Sequence, residues 1–339
     1  MEYIPKRVFF EKKALDYQLG EDMYKLFQDM NVEIGILKNN RVSNIPSRTP
    51  LQAYVEGKNT LVVRVRKKQE FQTCKPSAHY QLPIFSGCAG KCQYCYLNTR
   101  FGKKPYITAY ANIDEILNQA QEYINERKPE TTIFEAAATS DPIPVEKYTG
   151  SLARTIEFIG KQDYAKLRFV TKFSQIDSLL NLKHNNNTAI RFSINSQSII
   201  KEYEHGVSSL SDRIKASKKI IKAGYKLGFI IGPVILYDNW QNEYKDLLKE
   251  LKRELAQESD KNISFEIISH RFTSTAKNKI LELFPDTTLP MSEKDRVFKY
   301  GQFGYGKYVY NKNALNSIKE LFKQEIVKMF KNSDINYII

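Results

Sequence analysis
The chain has 339 residues, 42% of them apolar and 27% charged, the balance of a globular protein built as one large domain or one domain with a smaller companion. Its 52 Lys and Arg against 38 Asp and Glu leave a formal charge of +14 and a pI near 9.3, which points to a polyanionic partner. The longest apolar run, 227–236, is too short to span a bilayer, and the N-terminus lacks a signal peptide's apolar stretch, so the expectation is a cytoplasmic protein with no membrane partner.

The first 75 residues read as a small α/β unit. Met23, Leu26, Phe27 and Met30 share one face of a short helix over 22–30, and 32–37 and 60–65 read as strands. A polar loop with Pro46 and Pro50 separates those strands, and Arg64, Arg66, Lys67 and Lys68 cluster at the end of the second. From Gln81 the pattern alternates. Strands are expected at 81–85, 132–136, 167–171, 189–194, 227–234 and 263–268, with helical patterns from Ile113 and around 146–159, 174–182, 211–223 and 241–257. Asn112 with Glu115 suggests a capping pair for the helix from Ile113. Such alternation means a parallel sheet. The expected fold is α/β: a partial (β/α)6 TIM-type barrel over 76–270, the N-terminal α/β unit over 1–75, and a C-terminal extension over 271–339 with a β-hairpin and a helix. Chemistry in such barrels sits at the C-terminal ends of the strands.

The hairpin, over 296–312, interleaves Arg296, Lys299, Lys307 and Lys312 with Phe298, Tyr300, Phe303, Tyr305, Tyr308 and Tyr310. Cations hold phosphates, and aromatic rings stack on or wedge between bases. Packing of the same rings on a terminal helix over 315–330 reads equally well.

Three of the four cysteines fall in one short stretch, Cys88-Ala-Gly-Lys-Cys92-Gln-Tyr-Cys95. Three thiolates hold three irons of a cubane and leave the fourth open, whereas a closed zinc site needs four ligands. A zinc knuckle would have to recruit Cys74, His79, His184, His205 or His270. In a reducing compartment these cysteines are ligands or reactive thiols rather than disulfides.

The C-x3-C-x2-C loop resembles that of the radical S-adenosylmethionine (AdoMet) superfamily. Further blocks match one family within it: Ser86-Gly87-Cys88, Cys95-Tyr96-Leu97, Lys104-Pro105-Tyr106-Ile107, Phe134-Glu135-Ala136, Thr139-Ser140-Asp141, Arg191 to Asn195, and Gly304 to Tyr308. The chain resembles the spore photoproduct lyases along nearly its whole length. That resemblance implies a [4Fe–4S] cluster on Cys88, Cys92 and Cys95, AdoMet contacts from Ser140, Lys172 and Ser193, and reversal of 5-thyminyl-5,6-dihydrothymine in DNA to two thymines. It implies hydrogen abstraction from C6 of the lesion by a 5′-deoxyadenosyl radical, then return of a hydrogen to a thymine allyl radical from a thiol. It also implies Tyr94 and Tyr96 beside the lesion as a radical relay, although packing on the cluster would equally explain Tyr94. Lys299, Tyr300, Gln302, Tyr305 and Lys307 become the lesion- and DNA-binding residues. A flavodoxin or ferredoxin becomes the electron donor, the spore core the location, and a monomer the working form.

Two positions depart from the family pattern. The block that reads Glu-Ala-Ser-Cys-Thr-Ser-Asp in the family reads Glu135-Ala-Ala-Ala138-Thr-Ser-Asp141 here, so alanine stands where the hydrogen donor is expected. Either the donor has been removed or it has moved, and Cys74 is the remaining thiol and the favoured donor. Gln302 stands where the family often carries arginine. The alternatives kept open are another radical AdoMet enzyme acting on nucleic acid, and a nucleic-acid-binding module with a structural metal centre.

Overall fold
A computed structural model describes residues 2–43, 45–258, 261–300, 304 and 306–339. Two largely parallel sheets organise them. The first combines strands β1 (Arg7–Phe10), β2 (Glu33–Ile36), β3 (Thr60–Arg64), β6 (Phe85–Ser86) and β7 (Ile107–Tyr110) in the order β2-β1-β3-β7-β6, with only β6 antiparallel. The second combines β4 (Thr73–Cys74), β5 (Ala78–Gln81), β8 (Thr132–Glu135), β9 (Ala165–Thr171), β10 (Thr188–Ile194), β11 (Lys226–Val234), β12 (Ile263–Ser269) and β15 (Ser333–Ile338). Its order is β15-β12-β11-β10-β9-β8-β5-β4, parallel throughout except for β4. A hairpin of β13 (Val297–Tyr300) and β14 (Gly306–Val309) stands apart.

The second sheet is the expected partial barrel. Its six central strands alternate with helices over Ile113–Arg127, Ser151–Gly160, Leu210–Lys222 and Trp240–Glu254. Phe134, Leu167, Phe169, Ile190, Phe192, Phe229 and Phe265 belong to one buried core together with apolar residues of those helices. The alternate residues turn into the lumen, as the two-residue period of a strand requires. Barrel lumens are usually filled by branched apolar side chains, but this one holds a layer of charge. Arg191 donates to Glu266 Oε2 at 2.8 Å and to Glu135, Arg168 pairs with Glu266, and Ser77 donates to Glu135 Oε2 at 2.9 Å. Tyr337 of β15 donates to Glu266 Oε2 at 2.7 Å, which ties the last strand into the layer. Gly228 makes room for it, because a Cβ there would stand 2.8 Å from Arg191 Cγ.

The structure also departs from the expected elements. The strand expected at 81–85 is two strands in two sheets: β5 ends at Gln81, and the chain crosses to β6 before the cysteine loop. The first sheet therefore takes two strands from beyond residue 75. The loop around Pro50 is a helix, Pro50–Lys58, with Thr49 accepting from the Gln52 N–H at 3.1 Å and proline at its first turn. The pattern at 174–182 yields only a turn of 3-10 helix at Asp177–Leu179. Asn112 does not cap the helix from Ile113: its side chain accepts from the Arg66 N–H at 2.8 Å and donates to Glu115 at 2.7 Å. β1 and β15 had no clear periodic signal. The terminal helix, Lys312–Met329, begins at an Asn311 cap.

Removing one member of a buried ion network leaves its partners uncompensated, at a cost of about 3–5 kcal/mol. Arg191→Met should lower the urea midpoint accordingly, and an unchanged midpoint would show that the lumen charges do not hold the barrel together.

Candidate active site
The cysteine loop lies where β6 delivers the chain to the barrel mouth. Gly87, at φ +83°, makes the entry turn; its N–H donates to the Thr139 carbonyl at 2.9 Å, and the residue bridges Ser140. A side chain there would strike the Tyr106 carbonyl. Cys88, Cys92 and Cys95 are all free thiols. Two of the sulfurs converge over bare Gly90, whose Cβ would lie 3.4 Å from Cys88 Sγ and 4.0 Å from Cys92 Sγ. The Gly90 N–H donates to Cys88 Sγ at 3.3 Å. Burial pushes the Cys88 thiol up to about 12 and raises Cys92 as well, and proximity to Cys95 adds to both.

Among the described residues no three of His, Cys, Asp and Glu close around a single ion. A cubane assigns each cysteine to a different iron, and three free thiols in one loop are the donor set such a cluster takes. Three of the four histidines are occupied elsewhere. His79 Nδ1 accepts from the Ile133 N–H at 3.0 Å, His184 stacks on Tyr225, and His270, driven down to about 3 by burial and by Arg296, sits beside that guanidinium. His205 lies 3.2 Å from Gln93 within the loop's own packing.

Lys58 is a residue that sequence patterning missed. Its side chain is only 1% exposed, and its ammonium donates to the Cys88 carbonyl at 2.9 Å. A lysine at the end of a short helix gives no sign of such burial. Its positive charge opposes the rise in the Cys88 pKa.

At the mouth, Lys172, Ser193 and Tyr94 come together around a second missed residue, Glu204. The Lys172 ammonium donates to Glu204 Oε1 at 2.7 Å, Ser193 Oγ at 2.9 Å and Tyr94 OH at 3.1 Å. The Tyr94 hydroxyl also donates to Glu204, and Arg213 pairs with Glu204 Oε2 at 2.6 Å. The Glu204 and Arg213 side chains are completely buried. Burial alone would raise the Glu204 pKa, but Lys172 and Arg213 outweigh it and bring it to about 2. Asp141 takes hydrogen bonds from Thr171 at 2.8 Å and the Lys172 N–H at 2.9 Å, yet burial dominates and lifts it to about 6. Ser140 is buried one residue away, its hydroxyl on the Ala136 carbonyl at 3.3 Å. Thus Ser193 lies near the end of β10, Lys172 directly follows β9, and Ser140 lies a few residues beyond β8.

Tyr96 is 56% exposed, and its hydroxyl donates to the carbonyl of Ala138. The structure therefore sets one tyrosine directly against the block that lacks a cysteine. Cys74, half-buried in β4, lies within electrostatic reach of Tyr96, Glu135, Arg168 and Arg191. Burial and Glu135 raise its thiol to about 11 despite the two guanidiniums.

In the hairpin, Lys299 stands directly across from Lys307, and Tyr300 is 78% exposed. Like charges directly opposite each other repel, so this pair is suited to a polyanion. Arg296 serves the fold instead: its guanidinium lies 3.5 Å over the Tyr310 ring and donates to the His270 carbonyl at 2.8 Å. Gln302 and Tyr305 lie outside the described residues.

A family model described as spore photoproduct lyase matches residues 3–339. The chain belongs to the spore photoproduct lyase family. It is 55% identical over 339 residues to the spore photoproduct lyase of Clostridium acetobutylicum, covering 100% of both chains. It is 44% identical over 336 residues to that of Bacillus subtilis, covering 99% of this chain and 98% of the relative. Among solved structures, a spore photoproduct lyase complexed with dinucleoside spore photoproduct matches with a TM-score of 0.97 and 44% identity over 100% of both chains. A doubly substituted variant with bound AdoMet and dinucleoside spore photoproduct matches with a TM-score of 0.96, again at 44% identity and 100% coverage.

Because Glu204 is more acidic in the fold than its ordinary value of 4.5, its stabilising contribution is complete above that value and lost as pH falls towards 2. Glu204→Gln should flatten this part of the acid-unfolding curve followed by circular dichroism, while lowering stability at pH 7. An acid limb identical to that of the unmodified chain would show that the Lys172–Glu204–Arg213 group does not carry it.

Proposed function
We propose that the chain repairs DNA by reversing the spore photoproduct, 5-thyminyl-5,6-dihydrothymine, to two thymines, using AdoMet and a [4Fe–4S] cluster. One observation carries this reading: likeness along the entire chain to a solved structure holding both AdoMet and the dinucleoside photoproduct. Cys88, Cys92 and Cys95 would hold the cluster, and Ser140, Lys172 and Ser193 would hold AdoMet. The chemistry that cluster and AdoMet together supply is a 5′-deoxyadenosyl radical able to take hydrogen from C6 of the lesion.

This chain's own residues then position and quench. Lys172 is held in place by Glu204, Ser193 and Tyr94, and with Arg213 on the same carboxylate the group keeps one net positive charge. Cys74 is the proposed hydrogen donor. A thiol raised to about 11 keeps its hydrogen at neutral pH, as donation of a hydrogen atom requires. The S–H bond breaks, a C–H bond forms on the thymine allyl radical, and a thiyl radical remains. Tyr96 and Tyr94 are the proposed route by which a hydrogen returns to that sulfur. The doubly substituted solved variant supports the relocation. It exchanges a cysteine for alanine and a serine for cysteine, at positions as far apart as Cys74 and Ala138 are here.

The lesion must leave the base stack, at a cost of a few kcal/mol. The hairpin is the proposed wedge, with Tyr300 at its exposed end and Lys299 and Lys307 on phosphates; Gln302 and Tyr305 would extend that contact. A flavodoxin or ferredoxin is the proposed reductant, the spore core the proposed location and a monomer the proposed working form. No helix among the described residues is long and apolar enough to cross a membrane.

The deciding experiment is anaerobic turnover of the dinucleoside lesion with AdoMet and dithionite; AdoMet cleavage with no thymine formed would sink the repair reading. Cys74→Ala should still break the methylene bridge but yield aberrant products in place of clean thymine, as read by chromatography and mass spectrometry. Clean repair by that variant would exclude Cys74 as the donor. DNA affinity should fall with salt at a slope of roughly 0.7–0.9 per neutralised phosphate. Replacing both Lys299 and Lys307 by Ala should reduce that slope by about 1.5, whereas an unaltered slope would remove the hairpin lysines from the DNA interface.

A further inference from the structure
A cavity of about 600 Å3 opens beside the first sheet, where Tyr110 packs on the main core and Tyr106 on a smaller one. It lies at the C-terminal ends of parallel strands: Glu11 follows β1, Arg64, Arg66 and Lys67 end and follow β3, and Tyr110 ends β7. In the order β2-β1-β3 the chain leaves β1 to one side and returns on the other. Open parallel sheets bind ligands at such a reversal, and this volume is typical of ligand sites. Phe101, Lys104 and Tyr106 complete the wall.

The charge is one-sided. Four cations face one carboxylate, and that carboxylate, Glu11, is occupied in accepting from the Val65 N–H at 3.1 Å. Arg66 is committed to the Gln69 carbonyl at 2.9 Å and to Gln119 at 3.2 Å, and Lys104 reaches the Ile45 carbonyl at 3.0 Å. Lys67 is exposed. Cations interleaved with aromatic rings are the combination that holds single-stranded nucleic acid, phosphates on the former and bases on the latter.

Two chain segments connect this cavity to the barrel mouth. The loop from Arg66 through Gln69 leads to Cys74, and the helix Leu97–Arg100 leads from Phe101 back to Tyr96. Arg100 Nη2 donates to Gln72 Oε1 at 3.4 Å, joining the two segments. The five peptide steps from Tyr96 to Phe101 cannot separate mouth and cavity by more than about 18 Å. We propose that the cavity holds a nucleotide flanking the lesion on the same DNA strand, its phosphate on Lys67 and Lys104 and its base against Tyr110, while Arg64 lies over the Tyr106 ring in the wall. This rests on the repair reading above and adds a second DNA site to it, beside the first sheet.

The test compares two substrates with dithionite as reductant: the dinucleoside lesion, which has no flank, and a short single-stranded oligonucleotide with the lesion at its centre. Combined Lys67→Glu and Tyr110→Ala should raise KM for the oligonucleotide about tenfold, the loss expected for one stacked base, and leave kcat/KM for the dinucleoside unchanged. Lys67→Gln, at an exposed position, should raise the oligonucleotide KM alone by a smaller factor and guards against a misfolded double variant. Equal losses on both substrates, or none on either, would overturn the assignment. A defect seen only when a flavodoxin replaces dithionite would give the cavity to the electron donor and overturn it too. If the unmodified chain turns over neither substrate, the repair reading fails first and the cavity assignment falls with it.

Discussion
A carboxylate buried between two cations governs the barrel mouth. Glu204 is withdrawn from water with Lys172 on one oxygen and Arg213 on the other. Each ion would cost several kcal/mol to bury alone, so the three persist because each compensates another. Lys172 is thereby fixed against Ser193 and Tyr94. Arg213 also donates to the carbonyls of Ser193 and Ser208 at 2.9 Å, which binds two helices to the ends of β9 and β10. An ordered ammonium at the barrel mouth follows from this pairing.

One layer deeper, the same logic closes the barrel. Arg168 and Arg191 neutralise Glu135 and Glu266, and the final strand joins through Tyr337. Glu135 also begins the block that passes Ala138 and Ser140 on its way round the mouth. The charged layer lies within electrostatic reach of Cys74. Its guanidiniums partly offset the rise that burial and Glu135 impose on the Cys74 thiol. A half-buried position beside a carboxylate keeps this sulfur a thiol rather than a thiolate.

Much of this was legible in the chain. The strands at 132–136, 167–171, 189–194, 227–234 and 263–268 announced themselves by apolar periodicity, because their outward faces meet helices. The three cysteines and the blocks around Ser140, Lys172 and Ser193 were visible because they are local in sequence. Other features had no local signal. β15 is short, mixed in polarity and joined to the barrel only through β12. Glu204 and Lys58 look like surface residues at helix ends, since no sequence pattern distinguishes a charge that will be buried with a partner from one left in water. Arg296 read as a phosphate ligand, but the fold places it between Tyr310 and His270.

The sequence by itself determined the alternation of strands and helices, the three-thiol loop and the family to which the chain belongs, all of which depend on residues close along the chain or on likeness to relatives. Only the tertiary structure decided which charges lose their water, that Tyr96 meets Ala138, that Cys74 is half-buried in an edge strand of the barrel and that two sheets share the chain on either side of the cysteine loop. Those outcomes come from contacts between residues far apart in the chain, where burial and pairing are settled jointly by the whole fold. The cysteine loop was a motif in the chain; in the fold it stands between a charged barrel mouth and a basic cavity.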